Sequence, residues 1–211
     1  MTVSDYISDG LTLFFSHRRN ATYSNIFPNS RIIFLPTPHN HPVLYKRYNN
    51  YTYVGYYPSV IQYNNIQNMS GSGISCYFSG CAMAYFLFNG TPYVAHIPLE
   101  DKNSAYIDQR DNWNNFIIRN KRFITKYVIF RPFKSSDQDL LRYRSISSRE
   151  GAIGIIQPDL SCYTFMVDDN YFPIFSKEIV YPSKLFTTNL CSVPDISQYT
   201  IPKRSECPLW W

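Results

Sequence analysis

A chain of 211 residues with 45% hydrophobic and 17% charged side chains can bury one substantial core, and this composition excludes a disordered polypeptide. The net charge of +5 is mild, and the basic residues come as scattered pairs (Arg18-Arg19, Lys46-Arg47, Lys121-Arg122, Lys203-Arg204) rather than the basic face of a nucleic-acid binder. No apolar run approaches the length of a membrane span, so neither nucleic acid nor membrane is an expected partner.

Aromatic residues make up 18% of the chain, with 19 Tyr and 15 Phe, and together with many β-branched residues they lean towards strand. Leu11 to Phe15 reads as a strand or short helix. Arg31 to Leu35 reads as a strand stopped by Pro36, and Pro36 to Pro42 as a loop. Val43 to Tyr48 and Tyr51 to Tyr57 form a predicted hairpin across Asn49-Asn50, and Gln62 to Gly73 a polar connection. Ala82 to Phe88 and Tyr93 to Ile97 are two strands joined by Asn89-Gly90, the strongest short-range hairpin signal in the chain. Trp113, Phe116 and Ile117, with Tyr106 and Ile107 behind them, have helical spacing within Asn103 to Asn120. Thr125 to Phe130, Ala152 to Ile156, Ser161 to Val167 and Tyr171 to Phe175 are further predicted strands, with a helical turn or two at Asp137 to Arg144. Beyond Pro182 little periodicity remains, and that segment reads as a tail over the surface. With no repeat or linker, residues 1–211 form one expected domain of α+β class: a two-layer, mostly antiparallel, sandwich-like core with a minority of flanking helices.

Five cysteines (76, 81, 162, 191, 207) at irregular spacing fit neither a zinc site nor a disulfide scaffold, and reduced thiols are expected. His39 and His41 lack further ligands at a useful spacing, and Asp168-Asp169-Asn170 reads as a turn too short for a calcium loop. No metal or cofactor is expected. The chemistry concentrates instead between Ser75 and Ile97. Cys81 lies just before the first strand of the Asn89-Gly90 hairpin, and His96, fifteen residues downstream, lies near the end of the second. Folding the strands back brings both to the same open end. A thiol beside an imidazole is the minimal equipment for covalent catalysis, because the imidazole generates the attacking thiolate. Gly80 is expected to allow a backbone geometry that exposes the thiol and frees amides near it to hold an oxyanion. The competing readings are a Cys81 packed as a small hydrophobe and a His96 bonded to a carbonyl.

Ser79-Gly80-Cys81, the apolar strand, the Asn-Gly turn and the strand ending at His96 resemble the Ser-Gly-Cys … His signature of the Burkholderia lethal factor and cytotoxic necrotizing factor type glutamine deamidases. Ala95-His96-Ile97-Pro98-Leu99 is similar to the His segment of the chemotaxis deamidases. The likeness covers Ile74 to Ile97 and extends weakly to Gly151-Ala152-Ile153-Gly154-Ile155. It implies a bacterial toxin or effector that deamidates a glutamine of a host protein. A translation initiation helicase is the first expected target and a small GTPase the second. In the lethal factor group a Thr six residues before the Cys completes the site, and that position here is Ser75. The resemblance therefore implies Cys81, His96 and Ser75 as catalytic residues, with the Gly80 and Cys81 amides as oxyanion donors. Ser75 reads equally well as a turn hydroxyl bonding its own backbone.

The resemblance also implies a monomer without cofactor that acts in the host cytoplasm. Met1-Thr2-Val3-Ser4-Asp5 lacks a basic region followed by an apolar core, so export is expected to need a dedicated machine rather than a cleaved signal. Two alternatives stay open: a thiol peptidase or transglutaminase on the same residues, and a non-enzymatic, aromatic-rich module that binds a partner protein.

Overall fold

The computed structural model describes residues 34–36, 51–66, 71–100, 105–134, 152–167, 173–179, 184–186 and 189–206. The predicted elements at 11–15, 43–48 and 137–144, together with His39, His41, Asp168, Asp169 and the C-terminal Trp pair, lie outside the described residues.

Eleven strands are described: β1 (Phe34–Pro36), β2 (Tyr51–Val54), β3 (Ile61–Asn65), β4 (Ser72–Phe78), β5 (Ala82–Phe88), β6 (Thr91–Ile97), β7 (Ile124–Phe130), β8 (Ala152–Ile156), β9 (Cys162–Val167), β10 (Pro173–Ile179) and β11 (Leu185–Phe186). They form a six-stranded sheet in the order β1-β3-β6-β5-β7-β11 and a five-stranded sheet in the order β10-β9-β8-β4-β2. Pairing is antiparallel except for β1 on β3 and β2 on β4. The helix α1 (Arg110–Asn120) and short 3-10 turns complete a sheet-dominated α+β fold of the expected class.

The β5–β6 hairpin is the centre of the larger sheet. Asn89 and Gly90 both take positive φ, 50° and 77°, which lets a two-residue turn follow the right-handed strand twist. Phe88 therefore faces Thr91, and the register runs without a break to Ala82 opposite Ile97.

Two apolar layers sandwich this sheet. On one face Ala82, Ala84, Phe86, Ala95 and Ile97 meet Trp113, Phe116 and Ile117 of α1 and Leu190, Tyr199 and Ile201 from the C-terminal turns. Phe86 meets Trp113 and Phe116 edge-on at centroid distances of 5.6 and 5.7 Å, arrangements worth about 0.5–1.5 kcal/mol each beyond their burial. On the other face Met83, Tyr85, Val94, Val128 and Phe130 pack against Val54, Phe78, Ala152, Ile156, Cys162 and Met166 of the smaller sheet.

Several expectations need correction. Of the connection expected at Gln62 to Gly73, residues 62–65 belong to strand β3, whose backbone pairs with both β1 and β6, and Ser72 and Gly73 open β4. Tyr51–Val54 pairs with β4 in parallel, and its partner expected at 43–48 lies outside the described residues. The helix begins at Arg110, not near Asn103, because earlier backbone donors are taken by tertiary partners: Ile107 N–H donates to Ser59 Oγ and Gln109 N–H to the Pro98 carbonyl. Tyr106 and Ile107 are accordingly 53% and 65% exposed and are not on the buried helix face. The last predicted strand starts at Pro173, which needs no donor at the first residue of an edge strand, and runs on to Ile179 along β9. The segment beyond Pro182 is more than a surface tail, since Leu185 joins the larger sheet as part of β11 and, with Leu190 and Ile201, is buried in its core layer.

Candidate functional site

The hairpin register decides how Cys81 and His96 are related. His96 sits directly opposite Met83 on β5, and directly paired side chains project to the same face. Cys81 is two residues before Met83 and projects to that face again, into the layer between the sheets. Thiol and imidazole are thus diagonal neighbours on one sheet face, as the turn arithmetic requires.

Ser75 arrives from the other sheet. It lies on β4 opposite Gly154 of β8, and its fully buried Oγ stands 2.8 Å from His96 Nδ1. Short residues around it permit this contact. A Cβ added to Gly73 would come within 2.5 Å of Val94 Cγ2, and one added to Gly154 within 2.6 Å of Pro132 Cγ and 2.9 Å of Met83 Sδ. The two sheets approach closely there because neither position carries a side chain. A second cross-sheet bond, from Thr164 Oγ1 to the Pro132 carbonyl at 2.7 Å, lies alongside.

β4 also carries a bulge between Ser75 and Phe78. Ser75 faces Gly154 while Phe78 faces Ala152, so three steps on one strand match two on the other. In a regular strand these residues would point to opposite faces. The extra residue returns Phe78 to the inner face, where its ring stacks on the His96 imidazole at 4.2 Å and 6°. The Tyr56 ring stands 5.2 Å from the same imidazole, tilted by 48°.

The thiol is not exposed, contrary to expectation. Cys81 is 4% and His96 1% exposed, because Cys81 packs into the inter-sheet layer. Gly80 does not supply the expected special geometry either: its φ lies outside the left-handed region, and an added Cβ would make only ordinary contact, 3.5 Å from Arg131 Nη2. What fixes the Cys81 turn is Arg131, whose Nε donates to the Gly80 carbonyl at 3.0 Å.

Burial sets the electrostatics. It pushes the Cys81 thiol up to about 11, opposed by the Leu99 backbone N–H and Arg131 and reinforced by Glu100 and Asp108. Burial likewise holds His96 down to about 3. The resting pair is therefore a neutral thiol and a neutral imidazole. His96 Nε2 is buried and meets no hydrogen-bond partner among the described residues. In the tautomer whose Nδ1–H donates to Ser75 Oγ, Nε2 carries the lone pair that can accept a proton.

This burial has a consequence for stability. An unfolded His96 takes up a proton near pH 6.5, whereas the folded one resists until about pH 3. The folded state therefore loses stability as pH falls below 6.5, by about 1.4 kcal/mol per pH unit until the folded pKa is reached. Denaturant melts of wild type and His96→Asn between pH 7 and pH 4 should diverge in slope by that amount, the wild type being the steeper. Equal slopes would show that His96 is protonated in the folded protein.

Tyr56, Phe78, Glu100 and Arg131 surround the site without any signal in the sequence, whereas the Ser70-Gly71-Ser72-Gly73 run does mark a close backbone approach, which Gly73 makes against Val94. Tyr56 is one of 19 tyrosines, and nothing local marks it. Cys162 is buried and Cys191 exposed, and both are free thiols. Among the described residues no cluster of His, Cys, Asp or Glu is arranged to hold a metal ion, and no helix is long and apolar enough to cross a membrane. Compared with protein-family models, curated proteins and solved structures, the chain matches none.

Proposed function

We propose that this protein is a thiol-dependent protein-glutamine deamidase, with Cys81 as nucleophile, His96 as acid–base and Ser75 as the residue that orients His96. The observation that carries this reading is the 2.8 Å contact between Ser75 Oγ and His96 Nδ1, made across two sheets, with Cys81 on the same face as His96. His96 Nε2 takes the thiol proton as Sγ attacks the carboxamide carbon, and the oxyanion forms against the Cys81 and Gly80 amides. The imidazolium then returns its proton to the departing ammonia, leaving a thioester. Water activated by His96 hydrolyses the thioester to glutamate and restores the thiol. The host protein thereby gains one negative charge, which costs several kcal/mol where that side chain is buried or abuts a carboxylate. A translation initiation helicase is the first candidate target and a small GTPase the second, on the resemblance alone.

Intact-mass analysis of host proteins after incubation with the enzyme tests the reaction. Deamidation adds about one dalton, proteolysis shortens the chain and transglutamination adds an amine, although all three share the same acyl chemistry. A peptidase or transglutaminase outcome would keep the residues and change the assignment.

Ser75→Ala tests the orienting role. It leaves Nδ1 without its partner, and turnover should fall roughly ten- to hundredfold while Ser75→Thr retains most activity. The same change should cost about 1–3 kcal/mol of stability, because a buried polar atom loses its hydrogen bond. Equal turnover in wild type and Ser75→Ala would remove Ser75 from the mechanism.

The burial of Cys81 and His96 favours a second reading, a protein-binding module in which Ser75–His96 is a buried pin between the sheets. Exposed Tyr57, Tyr106 and Ile107 would then supply the contact surface. An effect on host cells that survives Cys81→Ser would decide for it.

A further inference from the structure

Both reactive groups are beneath the surface, so something must stand between them and solvent. Tyr56 packs against the apolar layer that contains Cys81 and meets the His96 ring. Its ring lies 5.2 Å from the His96 ring, and its ionisation is disfavoured first by burial and next by the neighbouring Cys81 and Glu100. It is only half-buried, whereas Cys81 and His96 are closed off. Its hydroxyl donates to Glu100 Oε1 at 3.4 Å, the long end of hydrogen-bond range.

The backbone under Tyr56 is, by contrast, tied down. Ser59, three residues on, accepts from Ile107 N–H through its hydroxyl and from Gln109 Nε2 through its carbonyl, both at 2.8 Å. The backbone is held from the α1 side, while the Tyr56 side chain reaches over the site. Tyr56 thus links Glu100, at its hydroxyl, to the His96 imidazole, at its ring.

We propose that Tyr56 is the cover of the Cys81–His96 site and that Glu100, once Tyr56 swings aside, is the specificity residue that accepts a hydrogen bond from the incoming carboxamide N–H2. This rests on the deamidase reading and deepens it. A carboxamide replaces one donor to Glu100 by another. A carboxylate brings no donor and a like charge, so Glu100 admits glutamine and expels the glutamate product.

Thiol alkylation tests this in the full-length chain without any glutamine substrate. Iodoacetamide presents a neutral carboxamide and iodoacetate a carboxylate, and peptide mass spectrometry reads each cysteine separately. Tyr56→Ala should raise alkylation of Cys81 by about tenfold or more with either reagent, while buried Cys162 stays unreactive. Tyr56→Phe, which keeps the ring and loses the tie to Glu100, should give an intermediate rise. Glu100→Gln should raise iodoacetate relative to iodoacetamide at Cys81 by roughly threefold or more, with the ratio at exposed Cys191 unchanged. Equal Cys81 rates in wild type and Tyr56→Ala would overturn the cover, as would a parallel rise at Cys162, which marks general loosening. An unmoved reagent ratio in Glu100→Gln would overturn the specificity role. If alkylation behaves as expected but no host protein changes mass, the cover stands and the glutamine chemistry fails.

Discussion

Cys81→Ser is expected to yield a folded protein with deamidase turnover reduced by roughly a thousandfold or more. The substitution removes only the sulfur. A serine hydroxyl is a far weaker acid and a poorer nucleophile than a thiol, so the same imidazole activates it much less. The stability cost should stay near 1 kcal/mol, since a buried hydroxyl asks for a hydrogen bond that the thiol did not need. Intact-mass spectra of host proteins, with melting curves of both proteins alongside, check the two halves together. A folded Cys81→Ser protein of undiminished activity would end the covalent mechanism.

Gly154→Ala is expected to impair both stability and turnover although it touches no reacting atom. The added Cβ would lie 2.6 Å from the Pro132 ring and 2.9 Å from Met83 Sδ, closer than van der Waals contact allows. The proline ring cannot fold away, so β8 must withdraw from the larger sheet. Overpacking of this kind costs about 1–3 kcal/mol. Gly154 is the direct partner of Ser75, so the same withdrawal lengthens the 2.8 Å contact with His96 and should lower turnover towards that of Ser75→Ala. Gly80→Ala is the matched control. Its Cβ has room, its backbone needs no positive φ, and it should change stability by less than about 1 kcal/mol. Equal melting temperatures for Gly154→Ala and wild type would show that the sheets are not in close contact at this point.

The contrast between the two glycines shows where reading the chain reached its limit. Gly80 drew attention because it precedes Cys81, yet the structure asks nothing special of it. Gly154 appeared only at the weak end of a resemblance, and its role comes from atoms of residues 83 and 132, distant in sequence. Phe78 likewise reaches His96 only through a bulge that strand periodicity cannot foresee. The start of α1 moved from Asn103 to Arg110 for a similar reason, since Ser59 and Pro98 claim the backbone donors before it. Strand β3 was hidden by its polar composition: Gln62, Asn64 and Asn65 take their places opposite His96, Val94 and Tyr93 of β6.

By itself the sequence determined the Asn89-Gly90 hairpin, the register that follows from it, and hence a common face for Cys81 and His96. Those depend on a two-residue turn and on the alternation of side chains along a strand, both local in origin. Ser75 was already the candidate to hold the imidazole, by carbonyl or hydroxyl. Only the tertiary structure decided that its hydroxyl makes the contact, that Phe78 and Tyr56 pack on the imidazole, and that the thiol lies beneath the surface. These depend on how closely two sheets pack, and that distance is set by side-chain volumes on strands with no local signal to connect them.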